Sequence, residues 1–505
     1  MISRAPQLHA YQTDVLSRFE DVIANGARRV LLAAPTGSGK TVIAAAIMKN
    51  AASQGQRVLF LDHRRELTKQ ASRKLHDFGV DHGIVQAGFP ARPGERVQVA
   101  SIQTLHARAV RSRSIELPPA DLVVVDEAHH SRAATYQCLL TAYPNAVIIG
   151  LTATPCRGDG RGLGNIFELL IECPSVAELI AGQYLVGAQV YAPVRPDLTG
   201  VHIRRGDYVE SELAARMNTA QIVGDVVEHW CRLGERRPTV VFAVDVAHSV
   251  HLRNEFRRAD VLAEHIDGST PIEERDRILA QLADGKIEVV TNCSVLCEGW
   301  DQPSVSCLVL ARPTKSLLLY RQMVGRCLRP APGKTEALVL DHAGATFEHG
   351  FVEDPIEWTL FEDHRVENKA HKARGTPHAP SLTTCPECSA VRFEGQPCRV
   401  CNWRPAPKAK PVEVAEGELG WVARNRQTKA DSFSSEDKQR FHCELTWIAS
   451  HRNYKAGWIA HKYREKFGAW PTHSVEPIPP SAATIRWVQS RQIAYAKSLP
   501  RQPRR

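Results

Sequence analysis

The sequence predicts an α/β protein with two parallel-sheet units in tandem, a small cysteine-rich module and a basic, helical carboxyl-terminal module. Two observations predict this class. Short apolar runs alternate with helical segments from Val30 to Leu340, which is typical of parallel strands covered by helices on both faces. The series is interrupted by the irregular, proline-containing stretch 172–218 and then starts again, which indicates two units.

The first unit is assigned to residues 1–172 and the second to 173–365, with a connector and insertion at 173–220. The predicted strands of the first unit are Val30–Ala34, Val58–Leu61, Val97–Ala100, Leu122–Val125 and Ala146–Gly150. Those of the second are Thr239–Val244, Val261–Ile266, Ile287–Thr291, Val305–Leu310 and Ala337–Leu340. Ligands of such sheets bind at the carboxyl ends of the strands, so the reactive residues are expected there.

The first strand is followed by a glycine-rich turn and a helical segment, the context of a phosphate-binding loop. Gly37 and Gly39 allow the turn to curl, so that backbone N–H groups and a helix N-terminus face a phosphate. Lys40 can reach the β- and γ-phosphates, and the Thr41 hydroxyl can hold Mg²⁺. The general pattern has glycine where Ala34 stands. The loop consists of Ala34, Pro35, Thr36, Gly37, Ser38, Gly39, Lys40 and Thr41.

Two adjacent acids, Asp126 and Glu127, follow the apolar strand Leu122–Val125, and His129 comes two residues later. Asp126 at the end of the strand can hold Mg²⁺, and Glu127 can orient and deprotonate a water molecule. The strand Ala146–Gly150 runs into Leu151–Pro155, whose two threonine hydroxyls could bond the region of Asp126 and His129.

The second unit has no phosphate loop of its own, which suggests that it completes the site of the first. Its candidate residues lie in the segment Tyr320–Arg329. If this segment is helical, Gln322, Arg326 and Arg329 share one face. Two guanidinium groups there can stabilise charge on a transferring phosphoryl group, an effect worth about 10³–10⁵ in rate.

These segments together resemble superfamily 2 helicases of the DEAH type, in the correct motif order over residues 6–345. The phosphate loop resembles motif I, Asp126–His129 motif II and Leu151–Pro155 motif III. The segment Tyr320–Arg329 resembles motif VI, with the signature Gln-x-x-Gly-Arg-x-x-Arg complete. Further similarities are Phe60–Gln70 to motif Ia, Ser101–Thr104 to motif Ib, Phe242–His248 to motif IV and Val290–Asp301 to motif V.

The resemblance implies two RecA-like lobes that hydrolyse ATP with Mg²⁺ in the cleft between them and move along nucleic acid. It implies that Gln12, in Leu8–Gln12, reads adenine, although His9 and Ala10 depart from the family pattern. It also implies that Gly299 and Asp301 bind nucleotide or link it to the nucleic-acid strand. In this arrangement Lys40, Glu127 and Arg326 act on one phosphate only when the lobes are closed.

Four of the 13 cysteines form two Cys-x-x-Cys pairs, Cys385 with Cys388 and Cys398 with Cys401. This spacing suits a structural, tetrahedral Zn²⁺ site in a zinc ribbon at 382–404. Disulfides and an iron–sulfur or redox role are the alternatives. Polar or proline-rich stretches at 366–381 and 405–437 are predicted linkers on either side of the ribbon.

The carboxyl-terminal module, residues 438–505, holds thirteen lysines and arginines against three acidic residues, a surplus of ten positive charges. Since the whole chain carries +9, the first 437 residues carry −1, and the module is expected to bind a polyanion. Its rings could stack on bases or form the core of a small helical domain, and both can hold. The rings are Phe441, Trp447, Tyr454, Trp458, Tyr463, Phe467, Trp470, Trp487 and Tyr495.

No apolar run approaches the roughly 18–20 residues that span a bilayer, and Met1–His9 lacks the apolar core of a signal peptide. The sequence therefore predicts a cytoplasmic protein with reduced cysteines and no membrane partner. The order of lobes, ribbon and basic tail resembles RadD-type helicases of bacteria and their phages. We expect an ATP-dependent helicase acting on DNA with single-stranded or forked regions. The alternatives are a translocase or remodelling ATPase of repair or recombination that does not unwind, an RNA helicase, and a nucleic-acid-binding protein with an inactive ATPase fold.

Overall fold

The computed structural model describes residues 6–157, 160–193, 195–204, 206–361, 381–406, 433–455, 457–472 and 474–498. The chain divides into two compact units, Met1–Pro407 and Lys408–Arg505. Residues 366–380 of the first predicted linker and most of the second, at 405–437, lie outside the described residues. In the part of the chain that is described, none of the helices combines the length and the apolarity needed to cross a bilayer.

The first lobe is a seven-stranded parallel sheet with strand order β3-β4-β2-β5-β6-β1-β7. Five strands lie where the apolar runs predict them. The two others are edge strands, whose partial exposure removes the need for a continuous apolar run. The strands are β1 Arg29–Ala33, β2 Val58–Asp62, β3 His82–Val85, β4 Val97–Ser101, β5 Leu122–Val125, β6 Val147–Thr152 and β7 Leu169–Glu172.

Both faces of this sheet are buried by helices, and alternate residues of each strand enter opposite cores. In β1, Val30 and Leu32 pack into one cluster and Leu31 into the other. This two-sided burial explains why the strands are continuously apolar. The helices are α1 Ala10–Ala24, α2 Lys40–Ser53, α3 Arg65–Asp77, α4 Ile102–Leu105 and α5 Ala134–Thr141.

The second lobe is a six-stranded parallel sheet with strand order β12-β13-β11-β14-β15-β8. Its edge strand β8 comes from the segment that the sequence indicates as connector and insertion, where glycine and glutamine interrupt the apolar run. The strands are β8 Gly187–Tyr191, β9 Ile203–Arg204, β10 Asp207–Tyr208, β11 Thr239–Phe242, β12 Ala263–Ile266, β13 Val289–Asn292, β14 Cys307–Leu310 and β15 Glu336–Asp341, of which β9 and β10 form a separate antiparallel pair. The helices are α6 Val176–Ala181, α7 Glu210–Met217, α8 Ala220–Leu233, α9 Val246–Arg258, α10 Ile272–Ala283, α11 Leu317–Val324 and α12 Ala345–His349.

The cysteine-rich segment is an antiparallel hairpin of β16 Leu382–Thr384 and β17 Val391–Phe393. It packs on the second lobe rather than standing apart from it. Tyr191 at the end of β8 forms an antiparallel bridge with Ala390. Cys385 and Cys398 belong to the same buried cluster as Tyr191.

The carboxyl-terminal unit contains α13 Ser435–His451, α14 Gly457–Phe467 and α15 Ala482–Ser498, as the helical prediction requires. Its core is Phe441, Leu445, Ile448, Phe467 and Val488, and five further rings pack partly buried against it: Trp447, Tyr454, Trp458, Tyr463 and Trp487. Core packing therefore accounts for most of the aromatic residues. Trp470 is different, because 48% of it is exposed. The side chain of Tyr495 lies outside the described residues.

Candidate functional site: the cleft between the two lobes

The phosphate loop joins β1 to α2 and has the curl that its glycines predict. Gly37 and Gly39 have φ of 90° and 78°. A Cβ on Gly39 would stand 2.6 Å from Gln12 Nε2, and one on Gly37 would stand 2.9 Å from a methyl group of Leu185. Ala34 stands in place of the first glycine, directly after β1, and donates its N–H to Thr152 O over 2.8 Å.

The acidic pair lies directly after β5, at the carboxyl edge of the sheet. Lys40 Nζ donates to Glu127 Oε1 over 2.8 Å. Burial raises the pKa of Asp126 to about 6, assisted by the neighbouring Glu127 charge. Burial alone would also raise the pKa of Glu127, but Lys40 and His129 outweigh it and hold that pKa well below its usual range. Asp126 and Glu127 thus differ in proton affinity although they are adjacent.

His129 joins the acidic pair to the end of β6. Its Nδ1 lies 3.3 Å from Glu127 Oε2 and 3.3 Å from Thr152 Oγ1. The predicted bond between this threonine and the His129 region is therefore present. Thr154 Oγ1 is buried and forms no hydrogen bond among the described residues, so the second hydroxyl does not take part.

Arg326 and Arg329 lie beyond the end of a helix and not on one face of it. Helix α11 ends at Val324, and the next residue, Gly325, packs so close to Thr36 that a Cβ there would stand 2.5 Å from Thr36 Cβ. The chain turns at this point, and both arginines donate to Trp300 O, over 2.6 Å and 3.3 Å. The helical expectation for this segment is wrong past Val324, but the two guanidinium groups still lie side by side.

Residues of both lobes line one cleft of about 680 Å³. Its wall contains most of the phosphate loop, the acidic pair, the two arginines and three further predicted residues. They are Gln12, Thr36, Gly37, Ser38, Gly39, Lys40, Thr41, Asp126, Glu127, Gly299, Asp301, Arg326 and Arg329. Both lobes belong to the same compact unit. Most of the sequence-predicted residues therefore meet in one place, whereas Ala34, Pro35, His129 and Gln322 do not line this cleft.

The lobes contact each other directly beside this cleft. Arg275 of α10 forms an ion pair with Glu66 of α3 at 2.5 Å. Gln70 Nε2 of α3 donates to Gly299 O over 2.9 Å. Gly299 has φ of 70°, and a Cβ there would contact Glu66 and Leu67 at 3.4 Å. Gly299 thus lies against the first lobe, while Asp301 pairs with Arg329.

Comparison with known proteins gives the family. Residues 5–157 match the family described as type III restriction enzyme, res subunit, and residues 223–331 match the helicase conserved C-terminal domain. The chain is 30% identical over 373 residues to a 51.5 kDa protein of a Lactococcus phage (isolate 7-9), with 74% of this chain and 77% of that protein covered. The chain is a superfamily 2 helicase.

Further relatives of this helicase are cellular. It is 31% identical over 362 residues to IRC3 of Saccharomyces cerevisiae, a protein named as an ATP-dependent helicase, with 68% of this chain and 52% of that protein covered. It is 24% identical over 357 residues to the DNA 3'-5' translocase XPB2 of Sulfurisphaera tokodaii, covering 62% and 77%. Its fold is similar to a fragment named as an HsdR subunit of a type I restriction enzyme from Vibrio vulnificus, with a TM-score of 0.54, 22% identity and coverage of 68% and 66%.

Sequence reasoning did not single out two features of the helicase cleft. Tyr184 precedes β8, and its ring lies 4.7 Å from the His9 ring and 4.8 Å from the Tyr11 ring, next to Gln12. Gln12 Nε2 donates to Ser38 O over 3.3 Å, so it lies against the phosphate loop. No short motif marks Tyr184, and only the fold brings it to this position.

Glu298 is the second unpredicted feature. It lies in the loop after β13 of the second lobe, is 8% exposed, and points at histidines of the first lobe. Burial would raise its pKa, but His129, His130 and His63 outweigh burial and hold the pKa far below the usual range. In the sequence this glutamate is part of the segment similar to motif V, and nothing there indicates a role for it.

The four predicted zinc ligands meet at one point of the hairpin. Cys385 Sγ lies 3.6 Å from Cys401 Sγ, and Cys388 Sγ lies 3.7 Å from Cys398 Sγ. All four sulfur atoms lie within 4.8 Å of one another and none forms a disulfide. Tetrahedral Zn²⁺ with Zn–S bonds of about 2.3 Å requires sulfur atoms about 3.8 Å apart, so the set fits the ion.

Proposed function

We propose that this helicase couples ATP hydrolysis in the interlobe cleft to the separation of DNA strands. The observation that carries the proposal is that Lys40 and Glu127 of one lobe and Arg326 and Arg329 of the other line the same cleft. A site divided between two bodies is complete only when they are together, so hydrolysis and lobe movement depend on each other.

Each group in the cleft has a role that its position supports. The loop Ala34–Thr41 would hold the phosphates, Thr41 and Asp126 would hold Mg²⁺, and Gln12 would contact the adenine. Mg²⁺ supplies charge neutralisation at the phosphates. Glu127 would accept a proton from the attacking water, because its low pKa keeps it ionised. Arg326 and Arg329 would stabilise charge on the transferring phosphoryl group.

Zn²⁺ would have a structural role in this helicase. The four cysteines provide all four tetrahedral positions, which leaves none for a substrate. Their attachment to the core of the second lobe suggests that the ion fastens the hairpin to that lobe.

DNA is the proposed substrate because the family name of residues 5–157 refers to restriction enzymes and because XPB2 is named as a DNA translocase. The experiment measures ATP hydrolysis with single-stranded DNA, duplex, forked DNA and RNA in turn, and then strand separation on the forked DNA. Stimulation by DNA with separation of the fork is the expected result. Stimulation by RNA alone would contradict the choice of DNA.

A second candidate is translocation along DNA without unwinding, which the name of XPB2 as a DNA translocase favours. Displacement of a third strand from a triplex separates the two candidates, since it requires translocation but no unwinding of the duplex. A protein that displaces the triplex strand and leaves every forked duplex intact would support the second candidate and reject the first.

A further inference from the structure

Glu298 belongs to the second lobe, yet its close charged partners lie on the first. Its Oε2 is 2.9 Å from His63 Nε2 and 3.3 Å from Arg64 Nε. Its Oε1 is 3.6 Å from His129 Nε2 and 3.6 Å from His130 Nε2. A carboxylate that is 8% exposed therefore has its electrostatic partners across the lobe interface.

His129 lies between this carboxylate and the proposed catalytic one. One ring nitrogen faces Glu127 Oε2 at 3.3 Å, and the other faces Glu298 Oε1 at 3.6 Å. The second nitrogen, Nε2, is buried and has no hydrogen-bond partner within the described part of the chain. A small approach of Glu298 would supply that partner. The ring is thus in contact with Thr152 and Glu127 of its own lobe at Nδ1, and at Nε2 it faces a carboxylate of the other lobe.

We propose that Glu298 is a positioning residue, which aligns Glu127 through His129 when the two lobes are closed. This inference rests on the proposed function, in which Glu127 is the base of ATP hydrolysis. Lys40 holds Glu127 at 2.8 Å, but it must turn to the phosphates once a nucleotide is bound. His129 is then the charged group next to Glu127, and the charged group that faces it from the other lobe is Glu298.

The surroundings of Glu298 link it to the arginines as well. Gln322 Nε2 donates to Glu298 Oε1 over 3.4 Å. Arg326 donates to Cys297 O and Trp300 O, on either side of Glu298 in the chain, over distances of 2.5–3.0 Å. The loop that carries Glu298 is therefore held by the same segment that brings the guanidinium groups to the cleft, so base and arginines would be placed by one movement.

The test compares Glu298→Gln with Glu264→Gln in the full chain. The first substitution keeps the side-chain volume and removes the charge that faces His129. The control changes another ion-paired glutamate of the second lobe, which contacts Arg257 at 2.7 Å within that lobe. General-base catalysis is worth about 10²–10⁴ in rate, so a misaligned base should lower kcat of DNA-stimulated ATP hydrolysis about tenfold or more. KM for ATP should stay within about twofold, and Glu264→Gln should match the wild type.

A double-mutant cycle with His129→Gln tests whether Glu298 acts on Glu127 through His129. If Glu298 acts through His129, adding Glu298→Gln to His129→Gln should lower kcat by less than about twofold further. Fully multiplicative effects, or a normal kcat for Glu298→Gln, would overturn the proposal. Glu298→Asp keeps the charge and shortens the side chain, and it should show the same kcat defect. This variant replaces Glu298→Gln in the test if the glutamine variant does not fold.

The outcomes separate this inference from the proposed function. ATP hydrolysis by the wild type that no nucleic acid stimulates would contradict the proposed function. The same cycle on the unstimulated rate would then still decide whether Glu298 acts through His129.

Discussion

Lys40 Nζ and Glu127 Oε1 are 2.8 Å apart, so the cation of the phosphate loop and the carboxylate after β5 neutralise each other across the floor of the cleft. Both side chains are largely buried, with 14% and 7% of their surface exposed. Removal of one partner of a buried ion pair leaves an uncompensated charge, which lowers the stability of the protein more than removal of one partner of a surface pair. The two residues carry opposite charges, so their substitution should affect the binding of ATP phosphates in opposite directions.

Lys40→Ala should abolish ATP hydrolysis and weaken ATP binding, because it removes the cation nearest the phosphates and leaves Glu127 without its partner. Nucleotide binding by calorimetry and a steady-state ATPase assay measure both effects. The control is Lys49→Ala, a lysine of α2 outside the cleft lining, which should leave both quantities unchanged. Full hydrolysis by Lys40→Ala would contradict the assignment of the loop.

Glu127→Gln should retain ATP binding and lose hydrolysis by about 10²–10⁴-fold, because the amide keeps the shape and cannot accept the proton. It also ends the ion pair with Lys40 and frees that cation for the phosphates. ATP affinity should therefore equal or exceed that of the wild type. Single-turnover hydrolysis and equilibrium binding, measured on the same preparation, check the two parts. A loss of ATP binding as large as that of Lys40→Ala would argue against a role as base.

Zn²⁺ should be present at one ion per chain and should stabilise the second lobe. Cys398→Ser removes a ligand that is 1% exposed within the core cluster around Tyr191, and we expect loss of the ion and a lower unfolding temperature. Metal analysis and differential scanning fluorimetry with and without a chelator measure this. The matched control is Cys138→Ser, an exposed cysteine of the first lobe. A wild type that contains no Zn²⁺ and is insensitive to the chelator would contradict the site.

The sequence predicts the central strands and the phosphate loop because their chemistry is local. β5 is a run of four apolar residues followed by two acids, and Gly39 must adopt a positive φ for the turn. Other features depend on packing between distant segments. Arg326 lies past the end of α11, next to a glycine that packs against Thr36 of the other lobe, and β8 is a strand that pairs with β15. Tyr184 and Glu298 were not predicted for the same reason, because their partners lie on the other lobe.

High pH should weaken the contact between the lobes at His129. Burial would lower the pKa of His129, but the carboxylates of Glu127 and Glu298, at 3.3 Å and 3.6 Å, outweigh burial and raise the pKa to about 9. The stabilisation is complete below the ordinary histidine pKa of about 6.5 and is lost as pH rises through about 9.

The groups that face His129 are Glu127, Glu298, Thr152 and the ring of His130. His129→Gln should unfold at a lower temperature than the wild type at pH 7, and the difference should shrink between pH 8 and 10, as followed by scanning fluorimetry. A difference that stays constant over this range would show that His129 is not held in its ionised form.

A chain that ends at residue 407 should bind nucleic acid more weakly and with a smaller salt dependence. The removed unit contains the basic module, and each phosphate contact contributes about 0.9 to the slope of log K against log[salt] on duplex DNA. Not every charge is available, since Lys466 lies 3.5 Å from the centre of the Phe441 ring in the core. Binding measured from 50 to 300 mM salt gives the slope for both chains. Equal affinity and slope would show that the charge of the module serves another purpose than nucleic-acid binding.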